Sequence, residues 1–205
     1  MIGPHDPDGP DIATAPTAPQ ASPWNVPNAL TVLRILMVPL FGWLLLAHGG
    51  QETDWRWWAT VVFVVATATD WVDGFLARRD GLITDFGKLM DPIADKALMG
   101  TALIGLSVLG LLPWWITVLI LVREVGITLM RFVVIRRGVI PASRGGKLKT
   151  VLQALGLTLL IAPLGETVAT IGLWVMYAAV VVTVVTGIDY VQQALRGGTE
   201  APARP

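Results

Sequence analysis

The chain has 205 residues with 15 acidic and 15 basic side chains, so its formal net charge is zero. A neutral chain has no overall field that would attract nucleic acid, and any electrostatic function must depend on local groups. Because the sequence contains no cysteine, disulfides, thiolate metal sites and cysteine nucleophiles are excluded. Hydrophobic residues make up 54% of the chain and the mean hydropathy is +0.64, values that are unusual for a soluble domain.

The N-terminal stretch differs in composition from the rest of the chain. Residues 1–23 are rich in proline, alanine and aspartate. They contain neither the basic region nor the continuous apolar region of a signal peptide. We therefore expect a disordered N-terminal tail over 1–23, a membrane domain over 24–195 and a C-terminal tail over 196–205.

Six segments are long and apolar enough to cross a bilayer as helices. They cover residues 29–48, 56–79, 88–110, 113–136, 147–164 and 167–190. Their short connections make neighbouring helices antiparallel. The sequence therefore predicts an all-α integral membrane protein with six transmembrane helices.

The basic residues favour one orientation of these segments. With the N-terminus in the cytoplasm, only Arg56 lies near the outer side. The cytoplasmic side then holds Arg34, Arg78, Arg79, Lys88, Arg136, Arg137, Arg144, Lys147, Lys149, Arg196 and Arg204. By the positive-inside rule, both termini are predicted to be cytoplasmic. Tryptophans at the outer starts of the second and fourth segments are typical of an interfacial belt: Trp55, Trp57, Trp58, Trp114 and Trp115.

Four carboxylates interrupt the apolar pattern in the stretch DWVDGFLARRDGLITDFGKLMDPIADK. They are Asp70 and Asp73 near the end of the second segment, and Asp91 and Asp95 near the start of the third. An aspartate at the centre of a membrane helix costs roughly 2.5–3.5 kcal/mol on insertion scales, so four together cost about 10–14 kcal/mol. A cost of this size indicates that the carboxylates have a functional partner.

The spacing of these four motif carboxylates predicts that they face one another. The connecting loop is centred between Leu82 and Ile83, and Asp70 and Asp95 lie equally far from that centre. Asp73 and Asp91 are matched to within one residue. Each pair shares one helix face, by i,i+3 spacing in the second segment and i,i+4 in the third. On two antiparallel helices the carboxylates then lie opposite each other at two depths.

Four neighbouring carboxylates need a counter-charge to stay ionised. An all-oxygen set suits Mg²⁺ or Mn²⁺, and Mg²⁺ usually keeps phosphate oxygens among its ligands. The pattern therefore predicts a metal site for a pyrophosphate-containing substrate. Gly74 and Ala77 would allow close approach of that substrate, and Arg78 would neutralise phosphate charge. A structural role remains open for Asp91, since it precedes Pro92 as a helix N-cap would.

As a pattern the stretch is D-x2-D-G-x2-A-R-x8-G-x3-D-x3-D, carried by Asp70, Asp73, Gly74, Ala77, Arg78, Gly87, Asp91 and Asp95. It resembles, at every fixed position, the signature of the CDP-alcohol phosphatidyltransferases. The resemblance implies a six-helix membrane fold, usually dimeric, with a polar cavity open to the cytoplasm of a bacterial-type inner or plasma membrane. It also implies a two-metal site made by the four motif carboxylates.

The same resemblance assigns roles within the site. Asp95 would be the catalytic base, and Asp70, Asp73, Gly74, Ala77 and Arg78 would hold the cytidine diphosphate part of CDP-diacylglycerol. The acceptor hydroxyl would attack the phosphorus that bears the diacylglyceryl group, and CMP would leave.

Three further segments, NVPNALTVLR, REVGITLMR and GGKLKTVLQ, resemble the branch of the family whose acceptor is glycerol 3-phosphate. We expect the acceptor phosphate to be bound by residues of these segments and their neighbourhood: Arg131, Lys147, Lys149, Arg123, Arg144 and Arg34. Arg123 is equally well explained by an intramembrane ion pair with Glu124. In NVPNALTVLR, the alternatives are helix-start roles for Asn28 and Thr31 and an orientation signal in Arg34.

Three other functions compete with this prediction. Within the family, the rivals are a phosphatidylinositol-phosphate synthase and a cardiolipin synthase. A membrane prenyltransferase also binds pyrophosphate through Mg²⁺ and aspartates, but it would need two motifs on separated helices. A divalent-cation transporter would use the carboxylates for transit and leaves Arg78 and the lysines of GGKLKT without a role.

Overall fold

The computed structural model describes the backbone of residues 26–80, 85–134 and 144–196. Side chains are described for residues 28–69, 90–130, 147–190 and Gln192. Within these ranges every long element is helical and there is no β-strand. The all-α class predicted from the sequence is therefore confirmed.

Six α-helices follow one another along the chain. They are α1 (Val26–Leu46), α2 (Thr53–Asp80), α3 (Asp85–Val108), α4 (Trp114–Val134), α5 (Arg144–Ile161) and α6 (Glu166–Arg196). A short 3₁₀ helix, Ala47–Gly50, connects α1 to α2. Each helix corresponds to one of the apolar segments read from the sequence. The largest difference is at the end of α6, which continues past Tyr190 to Arg196.

Two helices continue through a proline, although a proline removes one backbone hydrogen bond from the helix. Pro39 lies inside α1 and Pro92 inside α3. Since α3 begins at Asp85, Asp91 lies within the helix and is not its N-cap. The alternative that explained Asp91 as a capping residue is therefore wrong.

The arrangement of α1 determines how the helices that carry the motif are held. In the described part of the fold, α1 packs extensively against both α2 and α3, whereas α2 and α3 contact each other much less. The apolar core lies where these helices meet, and in it the rings of Phe41 and Phe63 lie 5.4 Å apart. A Cβ at Gly105 would lie 2.6 Å from Leu45 Cδ2, so this glycine allows α3 to approach α1.

Helices α5 and α6 form the most closely packed pair, and two glycines allow it. A Cβ at Gly156 would lie 3.3 Å from the carbonyl oxygen of Gly172, and one at Gly172 would lie 3.2 Å from that of Gly156. Small residues at facing positions let helix backbones approach closely, as they do between membrane helices.

The outside of the bundle is apolar rather than polar. Two segments, Asn28–Gly50 and Glu166–Tyr190, are long and apolar enough to cross a membrane, with mean hydropathies of 2.1 and 2.3. Only 28% and 22% of these windows are buried inside the protein, so they are unlike the core helices of a soluble domain. Exposed tryptophans lie near the starts of α2, α4 and α6: Trp57, Trp58, Trp114, Trp115 and Trp174. This surface is that of an integral membrane protein.

Arg56, the one cation that the sequence places near the outer side, caps the C-terminus of α5. Its Nε donates to the carbonyl of Ile161 at 3.0 Å and its Nη2 to that of Leu160 at 2.6 Å. These are the last two residues of α5, whose terminal carbonyls have no partner within the helix. Arg56 therefore joins the start of α2 to the end of α5.

Candidate active site

The helix bounds give the positions of the four motif carboxylates along α2 and α3. Asp70 lies ten residues before the end of α2, and Asp95 lies ten residues after the start of α3. At 1.5 Å per residue this is about 15 Å along each helix. Since only residues 81–84 connect the two helices, Asp70 and Asp95 belong at matched levels. The side chains of Asp70 and Asp73 lie outside the described residues.

The two carboxylates of α3 lie on one face of the helix, one turn apart. Asp91 and Asp95 are both half-buried. Asp91 Oδ1 accepts a hydrogen bond of 2.5 Å from the hydroxyl of Thr31 on α1. Within the described side chains there is no group of three or more potential metal ligands. Of the four motif carboxylates, only Asp91 and Asp95 are among these side chains.

The donor set that is described fits a hard divalent cation. Asp91 and Asp95 offer carboxylate oxygens, which Mg²⁺ and Mn²⁺ prefer to nitrogen or sulfur. The hydroxyl that donates to Asp91 is the kind of outer partner that orients a metal-binding carboxylate. The motif residues of α3 are therefore suited to hold a metal ion together with those of α2.

A line of buried polar residues on α1 faces the motif helices. Asn28, Thr31 and Arg34 follow one another at i,i+3 spacing and are 5%, 1% and 0% exposed. Thr31 contacts α3 through Asp91, and Arg34 Nε donates to the carbonyl of Ala66 on α2 at 3.2 Å. Ala66 lies one helical turn before Asp70. The line of polar residues, which we call the α1 stripe, therefore contacts both helices that carry the motif.

A second polar group, the Glu124 cluster, consists of Glu124, Lys96, Arg123 and Lys149. The carboxylate of Glu124 on α4 binds three cations from three helices. Its Oε2 lies 3.4 Å from Lys96 Nζ on α3, and its Oε1 lies 3.0 Å from Arg123 Nη1. Oε1 also pairs with the buried ammonium group of Lys149 on α5. Three cations around one carboxylate give the cluster a net charge of +2, which suits the binding of a dianion.

Hydrogen bonds to threonine hydroxyls extend this cluster to α6. Arg123 Nη2 donates to Thr186 Oγ1 at 3.2 Å, so α4 is tied to α6. Gln153, one turn after Lys149, donates to Thr183 Oγ1 at 3.2 Å between α5 and α6. Because Lys96 follows Asp95 in α3, this polar layer lies beside the deeper motif carboxylate.

The predicted acceptor residues differ in burial and in their contacts. The ion pair between Arg123 and Glu124, which the sequence left open, is present. Lys149 is buried in the Glu124 cluster, Lys147 is exposed, and Arg34 is fully buried on the α1 stripe. Besides Asp70 and Asp73, five predicted site residues lie outside the described side chains: Gly74, Ala77, Arg78, Arg131 and Arg144.

Sequence reasoning missed Lys96 and the link between Thr31 and Asp91. A signal for Lys96 was available, since a lysine within an apolar helix usually has a partner and a function. No signal identified Asp91 as the partner of Thr31, because the two residues are 60 positions apart and only the packing of α1 on α3 joins them.

Comparison with known families explains this combination of apolar helices and carboxylates. A model of the CDP-alcohol phosphatidyltransferase family matches residues 24–185, which is most of the chain. The chain belongs to the CDP-alcohol phosphatidyltransferase family and is a transferase of phospholipid biosynthesis. Members of this family generally use a divalent metal ion.

Individual relatives are similar over nearly the same region. The chain is 54% identical over 172 residues to a probable phosphatidylglycerophosphate synthase of Mycobacterium tuberculosis, covering 84% of this chain and 82% of the relative. It is 36% identical to the CDP-diacylglycerol–glycerol-3-phosphate 3-phosphatidyltransferase of Bacillus subtilis, covering 82% and 93%. A CMP-forming cardiolipin synthase of Streptomyces coelicolor is also 36% identical, covering 69% of this chain and 66% of the relative.

Proposed function

We propose that the protein transfers the phosphatidyl group of CDP-diacylglycerol to sn-glycerol 3-phosphate, giving phosphatidylglycerophosphate and CMP. The observation that carries this proposal is family membership together with a relative of 54% identity that is named for this product. The complete aspartate signature on α2 and α3 supports the chemistry.

In the proposed reaction, Asp95 takes the proton of the acceptor hydroxyl as general base. The hydroxyl oxygen forms a bond to the phosphorus that bears the diacylglyceryl group, while the bond from that phosphorus to the CMP oxygen breaks. Asp70, Asp73, Gly74, Ala77 and Arg78 hold the cytidine diphosphate part. Holding both substrates in line supplies much of the rate enhancement.

Four carboxylates would hold the divalent metal, which we propose to be two Mg²⁺ or Mn²⁺ ions: Asp70, Asp73, Asp91 and Asp95. When bound, the metal would offset the negative charge of the pyrophosphate and of the departing CMP. Asp91 contributes an oxygen whose orientation depends on Thr31.

For the acceptor phosphate we propose the Glu124 cluster and the basic residues around it. The cluster carries an excess of two positive charges in a largely buried position, and a phosphomonoester carries nearly two negative charges at neutral pH. Lys149 and Arg123 belong to the cluster itself. The full proposed set is Arg131, Lys147, Lys149, Arg123, Arg144 and Arg34.

The location of the site suits the two substrates. We propose six transmembrane helices over 24–195, both termini and the active-site cavity on the cytoplasmic side, and tails over 1–23 and 196–205. A site about 15 Å along α2 and α3 lets a lipid pyrophosphate meet a water-soluble acceptor without extraction of the lipid. We also propose that the protein forms a homodimer in the membrane and binds no nucleic acid.

The relative from Streptomyces coelicolor supports a second candidate, a CMP-forming cardiolipin synthase, whose acceptor is a lipid. An acceptor screen separates the candidates. Purified protein is supplied with CDP-diacylglycerol, Mg²⁺ and one acceptor at a time, and CMP and lipid product are measured. We expect turnover with glycerol 3-phosphate. At least about tenfold better use of phosphatidylglycerol or inositol 1-phosphate, a difference of about 1.4 kcal/mol, would contradict the proposed acceptor.

A further inference from the structure

We infer that Thr31 is a positioning residue for the metal site, because its hydroxyl orients the carboxylate of Asp91. Thr31 Oγ1 and Asp91 Oδ1 are 2.5 Å apart, within the range of hydrogen bonds from a hydroxyl to an ionised carboxylate. Thr31 is 1% exposed, so water does not compete for this hydroxyl. The inference rests on the proposed metal-binding role of Asp91.

The chemistry of the pair determines which group is the donor. An ionised carboxylate only accepts hydrogen bonds, so the hydroxyl of Thr31 must be the donor. A carboxylate has about four acceptor positions, and the bond from Thr31 uses one of them. The remaining positions suffice for a cation, while the bond limits rotation of the carboxylate group about its own axis.

Thr31 differs from other threonines within these helices. Thr60, Thr128 and Thr158 each donate to the carbonyl four residues earlier in their own helix, a local bond that many helical threonines make. The hydroxyl of Thr31 donates across to a neighbouring helix and a motif carboxylate. Thr31 is also the sixth residue of α1, so it is not a residue that caps the helix start.

The position of α1 explains why such a residue is needed. Among the described residues, both helices that carry the motif pack against α1. On the α1 stripe, Thr31 bonds to α3, and Arg34, one turn later, bonds to the carbonyl of Ala66 on α2. The same face of α1 therefore contacts both helices that carry the motif, at Asp91 on α3 and at Ala66 on α2.

The test measures metal binding without turnover. Mn²⁺ is titrated into the purified full-length protein, and free Mn²⁺ is followed by electron paramagnetic resonance. Thr31→Val removes the hydroxyl and keeps the shape, Thr31→Ala removes the hydroxyl without adding a second methyl group, and Thr31→Ser restores it. The control is Thr117→Val, since Thr117 is equally buried at 1% exposure and its hydroxyl bonds to Ser107 away from the motif.

Loss of an outer partner of a metal ligand typically weakens metal affinity by about 10–100-fold, and we expect an effect of that order in both Thr31→Val and Thr31→Ala. Thr31→Ser should bind Mn²⁺ within about twofold of the wild type, and so should Thr117→Val, since it leaves the ligands untouched. In an Asp91→Asn background, Thr31→Val should have little further effect, because the residue it acts through is already changed.

Equal Mn²⁺ affinity of the wild type and both hydroxyl-free variants would overturn the inference and leave the proposed function standing. Equal weakening in Thr31→Ser would also overturn it, because packing rather than the hydroxyl would then be responsible. Absence of saturable Mn²⁺ binding by the wild type would overturn the proposed metal site and the inference with it.

Discussion

At the scale of single residues, Asp95 carries the most specific chemical role. We expect Asp95→Asn to lower the rate of CMP release by about 10²-fold or more, since an amide cannot take the proton of the acceptor hydroxyl. Binding of CDP-diacylglycerol should persist. Asp54→Asn, at an exposed position in the first turn of α2, is the matched control and should keep full activity. Wild-type turnover in Asp95→Asn would exclude this residue as the base.

The two lysines of GGKLKT should contribute unequally to acceptor binding. Lys149 is buried in the Glu124 cluster, where charge interactions are strong, whereas Lys147 is exposed and screened by water. We expect Lys149→Met to raise the KM for glycerol 3-phosphate about tenfold, or about 1.4 kcal/mol, and Lys147→Met to raise it two- to threefold at most. Steady-state kinetics with each substrate varied in turn measures both effects.

The KM for CDP-diacylglycerol should change little in either lysine variant, because the cytidine diphosphate part is proposed to bind to the motif. A larger effect of Lys147→Met than of Lys149→Met would contradict the placement of the acceptor phosphate beside the Glu124 cluster.

At the scale of helices, the contact between Arg56 and the end of α5 makes a prediction about stability. Arg56→Gln removes two hydrogen bonds from a charged donor, and bonds of this type contribute about 1.5–3 kcal/mol each. We therefore expect a lower midpoint of thermal unfolding in detergent. Arg56→Lys should be intermediate, since it keeps the charge but lacks the planar fork that reaches both carbonyls.

An unchanged midpoint in Arg56→Gln would show that α5 ends equally well without this arginine. Glu52→Gln serves as the control, because Glu52 is exposed just before α2 and its ion pair is with His48 in the connection between α1 and α2. It tests whether loss of any charge at this end of the bundle lowers the midpoint.

The helices themselves were predictable because each one coincides with an apolar segment long enough to cross a bilayer. All six segments correspond to helices, and most boundaries agree within three residues. The role of Pro92 in α3 was harder to predict, since a proline often marks the first residue of a helix and here lies inside it. The register of Asp70 and Asp95 followed from their equal distance to one short loop. The partners of Glu124 could not be predicted from the sequence, because they come from helices that meet only in the folded bundle.

At the scale of the whole molecule, the absence of native cysteine allows a direct test of topology. Single cysteines at Gln51, Glu166 and Gln192, all exposed, report on the two sides of the membrane. We expect a membrane-impermeant maleimide to label Gln51→Cys and Glu166→Cys in intact cells, because both precede helices that run inwards. Gln192→Cys should be labelled only after permeabilisation. Labelling of Gln192→Cys in intact cells would reverse the proposed orientation.

The position of α1 between the two motif helices has a consequence for biosynthesis. Membrane proteins are made from the N-terminus, and α1 is complete before α2 and α3 leave the ribosome. The side chains of Thr31 and Arg34 are therefore already in the bilayer when Asp91 and Ala66 arrive. The nascent chain thus presents α1 early to the proposed metal-binding half of the site, whereas the proposed acceptor half must wait for Lys149 on α5. Assembly of the two halves is ordered by the sequence of synthesis.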